Sequence, residues 1–298
     1  MNALLTKAVQ LSAALCCCCF AFSTIAAQAK PINTHTQTQT NATTATPDAS
    51  HYAFANYLGS GVYRTAGQKA AVANIPISML IDEDDDHQMK LRLPVSLGFF
   101  NYSFTDLPEG EFPDTVGTLT ITPGLEYHWF YNDKLTLESY LDLGYGHNFT
   151  NSSNIGIVSV GTGAIYRIDN PKYTPILSNK LFWAGYRSSV NHNSDSFAVF
   201  QSGVDFGLGY HWQWQNVEVE PRLFVSGRWY FDQLTFINPE GEDVLTNHSY
   251  EVGASLAFSK PVGWEVFGWD GLKLDRFGIS YQNGGGLEVW RLIFDIPI

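Results

Sequence analysis

Residues 196–214 read SFAVFQSGVDFGLGYHWQW. The even positions carry Ala198, Phe200, Ser202, Val204, Phe206, Leu208, Tyr210, Trp212 and Trp214. The odd positions from 201 carry Gln201, Gly203, Asp205, Gly207, Gly209, His211 and Gln213. A period of two belongs to a β-strand with unlike faces. Soluble strands usually stop after about five or six residues. A strand that crosses a bilayer needs roughly 9–11 residues in the oil, plus ends that project from it. The aromatic end of this stretch also suits the headgroup level, where Tyr and Trp concentrate. Oil outside and Gly, Asp and Gln behind is therefore the pattern of a wall between lipid and a polar interior.

The rest of the chain repeats it. In LTLESYLDLGYGH, Leu135, Leu137, Leu141, Leu143 and Tyr145 oppose Thr136, Glu138, Tyr140, Asp142, Gly144 and Gly146. In VEVEPRLFVSGRWY, Val217, Val219, Leu223, Val225 and Trp229 oppose Glu218, Glu220, Arg222, Ser226 and Arg228. KLRLPVSLGFFNY and TLTITPGLEYHW behave alike. Several charges on one strand face are costly in an oily core but cheap in a polar lumen.

Charged residues make up 15% of the chain, against about 25% in ordinary soluble domains, while aromatics reach 14%. The net charge of −12 argues against nucleic acid, which needs Lys and Arg laid along phosphates. The first segment reads as an export signal. Lys7 opens it, LSAALCCCCFAFSTIAA is its apolar stretch, and Ala27-Gln28-Ala29 is the small-x-small cleavage site. Cys16 to Cys19 all lie within it, so the mature chain is expected to carry no disulfide. No later run of about 18 apolar residues offers a transmembrane helix. A closed β-barrel is the remaining way to pair every backbone group in a membrane.

Three segments follow: a signal peptide at 1–29, a flexible Thr-rich lead-in at 30–51, and an outer-membrane β-barrel at 52–298. The fold class is all-β, a transmembrane antiparallel up-and-down barrel of about twelve strands; the muddier alternation of the first, seventh and eleventh leaves ten strands or a bulged register open. We place these near 54–65, 71–81, 89–104, 115–130, 134–147, 155–168, 176–190, 196–214, 216–231, 246–259, 272–283 and 287–298. Short turns at Asn132-Asp133 and Gln215-Asn216 face the periplasm, and longer loops face outside. DEDDDHQ and SKPVGWEVFGWDG are long for periplasmic turns. The last strand is expected to run to Ile298 and close on the first.

The stretches NYLGSGVYRTAGQKAAVANIPISMLI and DRFGISYQNGGGLEVWRLIFDIPI resemble the solitary outer-membrane autotransporter-like β-barrel family over roughly residues 52–298. The resemblance implies a twelve-stranded, translocator-type barrel without a passenger. It also implies folding by the barrel-assembly machinery, which commonly reads a final Phe or Trp; Ile298 departs from that.

Inward parity holds Arg92, Glu126, Glu138, Asp142, Asp205, Glu218, Glu220, Arg222, Arg228, Glu251, Arg276, Arg291 and Asp295. Their mixed signs either cross-link and close the lumen or leave a weakly selective water path. Inward Tyr140 and Phe224 favour partial filling. The expected role is a narrow pore or a structural surface protein of the outer membrane, monomeric, with membrane lipids as its surroundings and no cofactor, metal or nucleic acid. An outer-membrane lipid hydrolase, acting on phospholipid or lipid A, is the alternative: His192 as base and Ser194 as nucleophile have the right types. Asp195-Ser196 follows where that motif needs Asn-Gly, so no enzyme is expected. A soluble, ligand-binding β-sandwich is the third reading. Asp82 to Asp86 lack the Gly and Glu placements of a calcium loop.

Overall fold

The computed structural model describes residues 60–65, 68–100, 117–149, 152–188, 194–237, 243–266 and 269–298. The expected signal and lead-in, and the first part of the first expected strand, lie outside them. The chain runs through β1 (Gly61–Thr65), β2 (Gln68–Ile75), β3 (Ser78–Glu83), β4 (His87–Arg92), β5 (Val95–Phe100), β6 (Thr118–Ile121) and β7 (Gly124–Phe130). It continues with β8 (Leu135–Asn148), β9 (Ser153–Arg167), β10 (Ile176–Ser188), β11 (Ser194–Gly207) and β12 (Trp212–Trp214). The last four are β13 (Val217–Ile237), β14 (Asp243–Val266), β15 (Trp269–Gly284) and β16 (Leu287–Ile293).

Four pairs of segments act as single staves: β2 with β3, β4 with β5, β6 with β7, and β11 with β12. Sixteen segments thus make twelve staves, each antiparallel to its neighbours. The ring closes where β1 meets β16, with Gly61 opposite Arg291 and Thr65 opposite Leu287. Between them β8 and β9 pair along their full length, Leu135 opposite Tyr166 and Asn148 opposite Ser153. Closure leaves no sheet edge at these junctions, which is what a membrane wall requires. No helix among the described residues is long and apolar enough to cross a membrane.

Three of the breaks sit at prolines. Pro76 separates β2 from β3, Pro94 separates β4 from β5, and Pro123 separates β6 from β7. Proline has no N–H for the ladder and interrupts a strand. The breaks lie side by side. Leu93 N donates to Ile77 O at 2.7 Å, Thr122 N to Pro94 O at 3.1 Å, and Leu143 N to Pro123 O at 2.8 Å. A crease therefore runs across three staves. The fourth break, at 208–211, contains Gly209 at φ +71°. The pairing with β13 shifts there by two residues, from Gly207–Arg222 to Trp212–Val219. A shift of two keeps parity, so Trp212 and Trp214 stay on the outer face with Phe200 and Phe206.

Two expectations are corrected. The stretches read as long turns are mostly strand: β3 resumes as β4 after Asp84–Asp86, and β14 and β15 extend to Val266 and from Trp269. The final strand does not reach Ile298. It ends at Ile293, and the following residues bend away from the wall. Pro297 cannot donate to a ladder, and Ile298 packs instead into the lumen, where it is 1% exposed.

The outside of the ring is apolar. Leu125, Leu141, Leu143, Leu181, Val225, Val252 and Ile279 are exposed there. Aromatics stand at both ends of this belt. Trp129 and Tyr131 meet edge to face at 5.5 Å near the rim where the chain ends, with Tyr166, Trp212 and Trp214 also exposed there. Toward the opposite rim stand Tyr145, Phe149, Trp229 and Tyr250, and Tyr281 lies 5.0 Å from Trp290. From Val219, the partner of Trp212, to Trp229 is ten residues (229 minus 219). At roughly 3.3 Å per residue and a tilt of about 40°, the two girdles stand about 25 Å apart, the height of the apolar band of a membrane barrel. This is the surface of a barrel that crosses a bilayer.

Candidate functional site

Among the described residues the lumen takes the inward parity of the staves, largely polar or charged, and its two sides differ. On the side of β11, β13, β14, β15 and β16 it is dry. Asp205 on β11 is fully buried. It accepts from Arg222 Nε on β13 at 2.7 Å and from Arg276 Nη1 and Nη2 on β15 at 2.9 and 3.1 Å. Because β13 and β14 lie between β11 and β15 in the ring, this carboxylate ties together staves that do not touch through backbone. Arg222 also donates to Glu220 at 2.5 Å and to Thr174 Oγ1 and O, both at 2.7 Å. Its guanidinium fork is filled by charge and carbonyl partners, as burial demands.

A second layer is built on Glu251 of β14. It faces Arg228 of β13 at 2.7 Å and Arg291 of β16 at 2.7 and 2.9 Å, and accepts from Ser280 of β15 at 2.5 Å. Glu251 is 1% exposed. Two guanidiniums on one buried carboxylate supply the Coulomb attraction and hydrogen bonds that offset desolvation. Phe224, Ile293 and Ile298 form an apolar cluster beside these ion pairs, with Ile176 and Ile296 packed against it. Pro297 O accepts from Gln201 Nε2 at 3.2 Å, and Gln201 Oε1 in turn accepts from Arg228 Nε at 3.2 Å. A Cβ on Gly203 would meet Ile298 Cγ2 at 2.5 Å and Ser226 Cβ at 2.8 Å. The missing side chain of Gly203 is the slot that Ile298 fills.

The side formed by β4, β7, β8, β9 and β10 is more open. Arg92 lies 3.3 Å from Glu126 and 3.9 Å from Asp142, and its guanidinium sits 4.9 Å over the Tyr140 ring. Tyr140 lies flat against Gly161, where a Cβ would collide with the ring. His128 Nε2 is 2.6 Å from Glu126, and Lys180 Nζ is 3.0 Å from Glu138. Arg92, Glu126 and Lys180 keep between 23% and 30% of their side chains accessible, so water reaches this half. Toward the rim opposite the chain end the β9–β11 wall of the lumen turns apolar, with Ile155, Ile157, Ala184, Phe197 and Val199 buried. Phe182 and Phe197 meet edge to face at 5.9 Å.

The structure thus brings Asp205, Glu220, Arg222 and Arg276 into one group, Arg228, Glu251 and Arg291 into another, and Arg92, Glu126 and Asp142 into a third, with Glu138 beside it. Glu218 has inward parity but stands at the rim, half exposed and 3.0 Å from His211. Asp295 departs from the sequence reading. It lies beyond the end of β16, exposed, and accepts from Ile296 N at 2.6 Å. Strand parity stops at Ile293, so it says nothing about position 295. Sequence reasoning put Gln201 on the polar face but did not name Ser280, Lys180 or Thr174 as lumen partners, although parity on β10 and β15 could have found the first two. Of the hydrolase pair, His192 lies outside the described residues, as does the side chain of Ser194. At the rim, His87 bridges Asp86 at 2.9 Å and Asp82 at 3.1 Å.

No family model matches the sequence, and neither does any curated protein. Among solved structures the chain is similar to the β domain of the Bordetella autotransporter BrkA, at 11% identity and a TM-score of 0.45, over 78% of this chain and 93% of that one. It is similar to the outer membrane transporter YddB from Escherichia coli at 12% identity and a TM-score of 0.30, over 76% of this chain and 36% of that one. It is also similar to the transport unit of the autotransporter AIDA-I from Escherichia coli at 10% identity and a TM-score of 0.24, over 83% and 97%.

Proposed function

We propose that this chain is an integral outer-membrane barrel whose lumen is occluded by its own side chains and by residues 296–298, and that it serves as a structural surface protein. The observation that carries this is the pair of buried ion-pair layers, on Asp205 and Glu251, sealed by Phe224 and Ile298. A conducting pore keeps its charges hydrated. These are desolvated and paired, which suits a filled interior. Mid-sized barrels lie between filled small ones and open porins, and this interior leans to the filled end.

A narrow pore is the second reading, favoured by the accessible Arg92, Glu126 and Lys180 on the other side. Planar-bilayer recording on the folded protein decides between them. The expected result is a heat-shifted gel band, marking a folded barrel, with no steady open-channel current. Steady conductance from the unheated wild type overturns the occluded reading in favour of the pore.

A further inference from the structure

One hollow lies on the outer wall. It holds about 460 Å³ and is lined by Trp212, Trp214, Val219, Leu256, Phe258 and neighbouring apolar residues. This falls within the roughly 300–1,000 Å³ of small-molecule sites. Its floor is Val219, which shares outward parity with Val225. Val225 is 51% exposed and Val219 only 2%. The difference comes from the break at 208–211, which lets β12 re-enter the sheet with Trp212 opposite Val219 and Trp214 opposite Val217. On the far wall, β14 departs from its ladder between Ala257 and Val262. That irregularity puts Ser259 and Lys260, both exposed, between two residues that line the hollow, Phe258 and Val262. Ser259 Oγ accepts from Glu218 N at 3.1 Å, which holds the bulge to β13. Trp214 and Phe258 face each other at 6.5 Å.

We propose that this groove holds one acyl chain of a glycerophospholipid from the surrounding bilayer, with the lipid phosphate at Lys260. The proposal rests on the membrane reading above. The groove opens on the hydrocarbon-facing belt and lies at the level of the Trp212–Trp214 girdle, where an acyl chain begins below its headgroup. Its walls are apolar, so a chain entering it leaves no polar group unpaired. Lys260 follows Phe258 along β14 toward the rim where the chain ends, and Glu218, whose N–H ties the bulge to β13, is already engaged by His211 at 3.0 Å. The indole rings add amphipathic edges suited to the same boundary.

Native mass spectrometry of the full-length, detergent-solubilised barrel, titrated with palmitoyl-oleoyl phosphatidylglycerol, tests it. The wild type is expected to retain one lipid after delipidation. Val219→Trp fills the floor and is expected to lower its occupancy about tenfold, as is Leu256→Trp from the other wall, while Leu143→Trp elsewhere in the belt leaves it unchanged. Lys260→Gln is expected to weaken retention about fivefold, the effect of one cation at a lipid surface. The heat-shifted band on the same samples confirms that each variant is folded. Retention that is equal in wild type and both filled variants, or absent from the wild type, overturns the proposal. Palmitate held as tightly as the phospholipid, with indifference to Lys260→Gln, overturns the phospholipid assignment. Extraction without detergent would instead refute the membrane reading on which the groove depends.

Discussion

At the scale of residues, the lumen separates charges paired in a dry site from charges whose pairs water partly reaches. Glu251 belongs to the first kind. Its removal leaves Arg228 and Arg291 facing each other without a counter-charge in a dry site. Glu251→Ala is expected to destabilise the barrel by about 3–5 kcal/mol, the usual cost of stranding a buried partner. The midpoint of urea unfolding in detergent, read by loss of the fast-migrating band, measures it. Glu126→Ala, in the half that water partly reaches, is expected to cost about 1–2 kcal/mol, between an exposed pair and a dry one. Equal effects at the two sites would contradict the wet-and-dry division. The sign and side of these residues were legible from period-two parity. Their partners were not, because parity gives direction across a wall and not distance across a lumen: Asp205 and Arg276 are 71 residues apart.

At the scale of elements, prolines and one glycine decide where staves break and where the tail goes. Pro76, Pro94 and Pro123 interrupt three neighbouring staves at one level, which turns three separate losses of an N–H donor into one continuous crease. The sequence shows the prolines. That they align depends on register, which the hairpin pairings set. Gly203 does the corresponding work for the tail, since its bare backbone is what Ile298 packs on. Gly203→Val therefore expels Ile298 without removing any residue. It is expected to raise the accessibility of residues 296–298 to limited proteolysis while the heat-shifted band persists. A tail that remains protected in this variant would show that the Gly203 slot does not hold it.

For the whole molecule, everything depends on the ring being closed by β1 and β16. Val62 and Trp290 are direct partners across that junction, and antiparallel partners stand about 4.5–5.5 Å apart between Cα atoms, within disulfide reach. Val62→Cys combined with Trp290→Cys is expected to form a disulfide on oxidation and to keep the barrel in its fast-migrating form to a higher temperature than the reduced protein. Failure to cross-link would mean that first and last staves are not neighbours, as in an open sandwich. The same ring explains why the outer surface tolerates so much exposed Leu, Val and Trp. With the backbone satisfied all around, lipid is the only solvent that surface needs.

Alternation alone indicated that this chain makes two-faced strands, about twelve of them, and which residues inside a strand look inward, because a strand's side-chain period is a local property of its backbone; it failed at Asp295, which lies beyond the last strand. The tertiary structure decided which inward charges meet, that half of the lumen is dry, that the last residues leave the wall to fill it, and that an apolar groove opens beside Trp212. These are contacts between staves distant in sequence. They arise from the curvature and register of a closed ring, quantities that no single strand carries.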